Sequence, residues 1–275
     1  AQVNDGQGNV GNQNLVITIT GTNDVPVIDG VTNPAVISEI AEDSSAQDIA
    51  ATTGTITITD QDLGDTLSVS VTGDATAAYT PAGGTAGAVP TDDSVNVAAL
   101  IASGAIAFSP LTSDGETQTI NWTYDPAAAD LDWLRAGDTL TLTYTAQVND
   151  GTTTVGSQDL VITITGTNDA PVIDSATNPA AISEITGSSA AQDIAATTGT
   201  ITITDQDLGD TLSVSVTGDA TAAYTPAGGT AGAVPTDDSV NVAALIASGA
   251  IAFSPLTSDG ETQTINWTYD PAAAD

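Results

Sequence analysis

Thr139-Leu140-Thr141-Leu142-Thr143-Tyr144, then the turn Asn149-Asp150-Gly151, then Leu160-Val161-Ile162-Thr163-Ile164-Thr165: two alternating apolar and polar runs flank a tripeptide made of turn formers. A period of two puts every second side chain on one face of an extended chain, the pattern of a half-buried strand. The Asn-Asp-Gly turn folds the strand ending near Val148 back onto one beginning near Asp159, so the two form a hairpin. Working outward, similar runs occupy 15–20, 55–59, 67–71, 105–108 and 119–124. Asp62-Leu63-Gly64-Asp65, Pro81-Ala82-Gly83-Gly84 and Ser113-Asp114-Gly115 separate them as turns. Many short strands with polar turns predict an all-β fold, an antiparallel β-sandwich. Residues 95–101 and 127–134 instead predict short helical turns within loops, the second bringing Leu131, Trp133 and Leu134 to plug the base of the core.

The hairpin segment recurs. Ala1-Gln2-Val3-Asn4-Asp5-Gly6 returns as Ala146-Gln147-Val148-Asn149-Asp150-Gly151, a period of 145 residues (146 − 1), and Ala46 to Asp130 repeats unchanged from Ala191 to Asp275. A unit of that size holds a core of its own, so the copies are expected to fold as separate modules. The division expected is 1–24 as the last strand of a preceding module, 25–169 as a full repeat, and 170–275 as a second repeat lacking the last two strands.

Thirty-five acidic residues face one base, Arg135, for a net charge of −34. Such a chain repels nucleic acid and anionic lipid and suits a cationic partner. Acidity with few aromatics also marks disorder, but the periodic Val, Ile, Leu and Thr runs argue for a folded chain. There is no Cys and no His, which leaves packing, module contacts or a hard metal as sources of stability. Without His, Cys or Lys the usual bases, nucleophiles and Schiff-base amines are missing, and an enzyme is not expected. No apolar run approaches the roughly twenty residues that cross a bilayer, and any export signal is expected elsewhere in a parent protein.

The acidic residues gather at strand ends: Asn23-Asp24, Asp60-Gln61-Asp62, Asp65 and Asn149-Asp150, then Asn168-Asp169, Asp205-Gln206-Asp207 and Asp210. Calcium takes six to eight oxygen ligands, which neighbouring loops can assemble. An Asp-x-Asp directly after a strand, without basic partners, points to that use over plain solvated surface. The hairpin segment through Gly166-Thr167-Asn168-Asp169-Ala170-Pro171-Val172-Ile173 resembles the closing signature of VCBS-type repeats in giant secreted adhesins of the RTX group. Leu131-Asp132-Trp133-Leu134-Arg135-Ala136-Gly137-Asp138-Thr139-Leu140 resembles that family's motif before the penultimate strand, and the whole pattern is similar to cadherin repeats. Residues 75–116 depart from it, being longer and carrying the helical turn.

The resemblance implies immunoglobulin-like or cadherin-like sandwich modules with a short helical insertion, and calcium shared between consecutive modules. It implies one site from Asn23, Asp24, Asp60, Asp62 and Asp150. It implies a second from Asn168, Asp169, Asp205 and Asp207, with Glu39 added from the module before. Asp65 and Asp210 are expected to support turns or lie outside the ligand sphere. The expected role is a secreted, cell-surface spacer whose junctions calcium stiffens, for adhesion or biofilm formation, with neighbouring repeats as partners. Two alternatives stay open. One is a subunit of an extracellular filament that self-associates by strand donation between chains. The other is a carbohydrate-binding module with Trp122, Tyr124 and Trp133 as a sugar platform, although strand aromatics more often fill cores.

Overall fold

The computed structural model describes residues 1–42, 46–187, 192–236 and 242–271. Ahead of the first module, β1 (Val3–Asn4) and β2 (Asn9–Val10) form a two-rung ladder. The first module contains β3 (Val27–Thr32), β4 (Ile37–Ser38), β5 (Thr52–Thr59), β6 (Thr66–Val71), β7 (Thr76–Thr80), the helical turn α1 (Ala98–Ile101), β8 (Ile106–Phe108), β9 (Leu111–Thr112), β10 (Thr117–Tyr124), β11 (Thr139–Asn149) and β12 (Thr154–Thr165). The second contains β13 (Val172–Ala176), β14 (Thr197–Thr204), β15 (Thr211–Leu212), α2 (Ala243–Ile246), β16 (Ile251–Phe253), β17 (Leu256–Thr257) and β18 (Thr262–Tyr269). The fold is all-β: two tandem immunoglobulin-like sandwich modules, each interrupted, among the described residues, by an α-helical turn followed by a 3-10 turn.

In the first module the antiparallel order β3-β5-β10-β8 makes one sheet and β4-β12-β11-β6-β9 the other; among the described residues only the β4–β12 pair is parallel. The long β11 is flanked by β12 on one side and by β7 then β6 on the other, with a register shift between Ala146 and Val148. Alternation decides what faces inward. Ile56 and Ile58 of β5, Ile120, Trp122 and Tyr124 of β10, Leu140, Leu142 and Tyr144 of β11, and Leu160, Ile162 and Ile164 of β12 are all buried in one core. Trp122 pairs with Gly54 across the β5–β10 ladder. A Cβ at residue 54 would lie 2.4 Å from the indole, so only glycine leaves room for the ring. The Tyr144 hydroxyl lies 2.8 Å from Leu100 O and that of Tyr124 3.0 Å from it, tying α1 to the core.

Several expectations are corrected. Residues 15–20 lie in no strand, and Leu15 and Ile19 are 80% and 89% exposed; an alternating run needs a neighbouring strand, and among the described residues none pairs with it. Residues 127–134 form turns and one isolated bridge at Ala129, not a helix, and the turn closes through Leu134 N donating to Leu131 O. Leu131, Trp133 and Leu134 are nonetheless buried at the base of the core. The helical turn expected at 95–101 occupies only Ala98–Ile101. Trp122, Tyr124 and Trp133 are buried, so they offer no exposed sugar platform.

The second module keeps the β13-β14-β18-β16 sheet and a short β15–β17 pair. The described residues of this module hold no counterparts of β11 and β12. Its buried apolar cluster is correspondingly small, Ile203, Leu212 and Ile265.

Candidate metal centre at the module junction

The linker leaves β12 at Gly166, whose N–H donates to Asp138 O at 3.0 Å, and passes through Thr167-Asn168-Asp169 into β13. The parallel pairing of β4 with the end of β12 places Ile37 beside Ile164 and Ser38 beside Thr165. Glu39 is therefore delivered next to the linker, where its N–H donates to Thr165 O at 3.0 Å. Thr167 N donates to Glu39 Oε2 at 2.7 Å, whereas the buried Glu39 Oε1 has no hydrogen-bond partner. Asp132, in the turn before β11, is held by the Gln47 side-chain amide, which donates to Asp132 Oδ1 at 2.8 Å. One carboxylate oxygen from each of Glu39, Asp132 and Asp169 lies within 4.8 Å of the other two, and all three residues are buried.

Asp169 links the modules. Its Oδ1 accepts from Glu42 N, its own N–H donates to Asp207 Oδ2 at 2.9 Å, and its Oδ2 is buried without a partner. Asp207 Oδ1 is likewise buried and unpartnered. Asp205 is buried behind it and accepts from Asp207 N at 3.2 Å. Glu42 adds a second tie, its Oε1 accepting from Ala170 N at 3.0 Å. It does so with φ 62°, a left-handed conformation unusual away from glycine.

The electrostatics follow from crowding like charges in a poorly solvated place. Burial, with repulsion from Asp169 and Asp132, pushes the Glu39 carboxyl up to about 7 against the stabilising Thr167 N–H. Burial first, then Asp210, Asp169 and Asp205, push Asp207 up to about 7. Burial also raises Asp169 and Asp205.

The opposite pole gathers the other expected residues. The Asn23 amide donates to Asp150 Oδ2 at 3.1 Å, Asp24 N donates to Asp62 Oδ2 at 2.5 Å, and Asp62 N donates to Asp60 Oδ1 at 3.0 Å. Asp60 Oδ2 is buried without a partner. Asp150 differs, because N–H groups of Thr153, the Asn23 amide and Thr152 N–H hold its carboxyl below the ordinary range. Loss of solvent around Asp65, and then the charges of Asp62, Asp60 and Asp150, raise its carboxyl. Asn168, like Asn23 and Asp24, is exposed, and its amide donates to Asp169 O at 2.9 Å.

The donor set fits a hard divalent cation such as calcium. It is all oxygen, it is anionic, and at the junction Glu39 Oε1, Asp169 Oδ2 and Asp207 Oδ1 are shielded from water with no donor to satisfy them. Arg135, the chain's one base, is engaged with Asp138 and faces Asp210. Sequence reasoning missed Asp132 and Glu42. Asp130-Leu131-Asp132 is itself an Asp-x-Asp, the signal used elsewhere, but it follows a loop and no strand. For Glu42 no sequence signal exists beyond its replacement by Gly187 in the other copy.

No family model and no curated protein matches the chain. Among solved structures it is similar to an ASH / PapD-like domain of human CEP192 (PapD-like domain 7). That likeness has 11% identity, covers 57% of this chain and 96% of the other, and has a TM-score of 0.25. It is also similar to the CooA pilin subunit from enterotoxigenic Escherichia coli, at 13% identity, covering 50% of this chain and 96% of the pilin, with a TM-score of 0.24.

Proposed function

We propose that the chain is a spacer segment of an extracellular adhesive or filamentous protein, built from tandem sandwich modules whose junctions are set by bound calcium. The observation that carries this reading is the set of buried carboxylate oxygens without partners at the linker, Glu39 Oε1, Asp169 Oδ2 and Asp207 Oδ1. Glu39, Asp132, Asp169 and Asp207 would hold the ion, with Asp205 behind them. Bound there, calcium supplies the positive charge that the cluster lacks.

The chain's own groups do the remaining work. The β4–β12 pairing fixes Glu39 against the linker, Gln47 orients Asp132, and the Asp169 N–H bond to Asp207 joins the second module to the first. Without a cation the carboxylates repel one another across the linker. Extracellular calcium modules bind with dissociation constants of roughly 0.1 to 1 mM. At ten times that constant each site adds about 1.4 kcal/mol.

The test is small-angle scattering and thermal melting of the chain in calcium and in chelator. Calcium should extend the particle and raise the melting temperature, and Glu39→Gln with Asp207→Asn should remove both responses. No response in the unsubstituted chain would sink the reading. Filament assembly by strand donation is the second reading, favoured by the exposed aliphatic row at 15–20. It predicts a concentration-dependent rise in mass in the same scattering experiment.

A further inference from the structure

A second set of contacts crosses the junction beside the carboxylates and uses none of them. Leu208, in the turn after β14, packs against the core of the first module, and its N–H donates to Trp133 O at 3.3 Å. Arg135 Nη1 reaches Gly209 O at 3.4 Å and stands 3.9 Å from Asp210 Oδ1. The guanidinium is aimed from below. Its Nε donates to Asp138 Oδ2 at 3.2 Å, and the fully buried Asp138 also accepts from the Tyr79 hydroxyl at 2.5 Å and from Ala82 N at 2.7 Å. The Tyr79 and Trp133 rings lie 5.6 Å apart. Tyr79 and Ala82 belong to the 75–116 stretch that departs from the adhesin pattern. The same stretch touches the second module again at Ser94, where a Cβ on Gly260 would sit 3.0 Å from Ser94 Oγ.

The repeat supplies a built-in comparison. Asp60-Gln61-Asp62-Leu63-Gly64-Asp65 and Asp205-Gln206-Asp207-Leu208-Gly209-Asp210 are identical in sequence. Leu63 is nevertheless 79% exposed, while Leu208 is partly covered. The difference lies in what each loop meets. Leu208 has the Leu131 to Asp138 turn beneath it, whereas among the described residues no such turn lies under Leu63. An exposed leucine at the tip of an acidic loop is explained by a socket that its twin already occupies.

We propose that the Leu-Gly-Asp loop is a metal-independent coupling element between modules. Leu208-Gly209-Asp210 latches onto Trp133 and Arg135, and Leu63-Gly64-Asp65 offers the same face to the Leu131 to Asp138 turn of another copy of the module. Arg135 gives the coupling its polarity, being the one cation in an acidic chain, and the 75–116 stretch acts as its brace. The latch does not rest on the calcium reading, and chelation separates the two.

The Cys-free chain accepts one spin-label pair, at Ser70→Cys in the first module and Ser213→Cys in the second, both exposed. With chelator present, the full chain should give a single narrow intermodule distance. Leu208→Ser and Arg135→Gln should each broaden it, whereas Leu63→Ser should leave it unchanged. Any damage that serine does to the loop itself appears at both leucines, so only lost docking separates them. Equal behaviour of Leu63→Ser and Leu208→Ser overturns the latch, as does a broad distribution in the unsubstituted chain under chelator. Loss of the calcium response alone, with the narrow chelator peak intact, overturns the metal centre and leaves the latch standing.

Discussion

Glu39 and Asp207 carry the pH behaviour of the junction. Both titrate near 7 in the folded chain, above their unfolded values of 4.5 and 3.8. Between those values and about 7 the folded state therefore binds protons that the unfolded state has released, and stability falls as pH rises through that window. In chelator the melting temperature should increase on going from pH 7.5 to pH 5. With calcium saturating at pH 7.5 the trend should reverse, since protons then compete with the ion. Asp150 works in the opposite sense, because its lowered carboxyl contributes stability above its unfolded value and loses it as acid protonates the group. Glu42→Gly removes the strain of φ 62° and the bond to Ala170 N, effects of about 1 kcal/mol each that offset. Melting in chelator should barely change, while calcium stabilisation should shrink because Glu42 also faces Asp169. Asp169 and Asp207 were legible in the sequence because an acid at a strand end has a fixed place. Glu42 was not, because its role depends on a backbone angle that composition does not reveal.

At the scale of elements, period-two alternation located β5, β6, β10, β11 and β12 because each has one buried face. The start of β12 was under-read: expected near Asp159, it begins at Thr154 and ladders with β11 through polar residues. The 127–134 stretch was misread as helical because its apolar residues crowd together. They crowd in order to plug the core from a turn, a demand of tertiary packing that local spacing cannot distinguish. Residues 15–20 failed for the complementary reason, since a strand pattern without a neighbour makes no ladder. The β5–β10 pairing supports a sharp prediction at Gly54, which faces Trp122. Gly54→Ala forces the indole or the strand to move and should cost at least about 1–3 kcal/mol, by overpacking. Denaturant melts of the first module would read it. Tyr144→Phe should cost about 1 kcal/mol by releasing its bond to Leu100 O, loosening α1 before the sheets.

For the whole molecule the dominant quantity is charge, −34 against a single Arg. Repulsion between modules is screened over about 10 Å at 0.1 M salt. Monovalent salt should therefore compact the metal-free chain modestly without reproducing the calcium response, a difference visible in the radius of gyration across a sodium chloride titration. The tandem layout was legible from the sequence. The direction in which one module grips the next was not, because both halves of the grip are written in loops. That grip is heterologous: a loop at one end of the unit meets a turn at the other. A head-to-tail contact of this kind has no symmetry to close it and can continue as long as units are added. Since each unit encodes both the donor and the acceptor of its joint, a gene duplication yields two matching halves at once. The length of such a protein can then drift by recombination between near-identical copies without any new interface having to evolve.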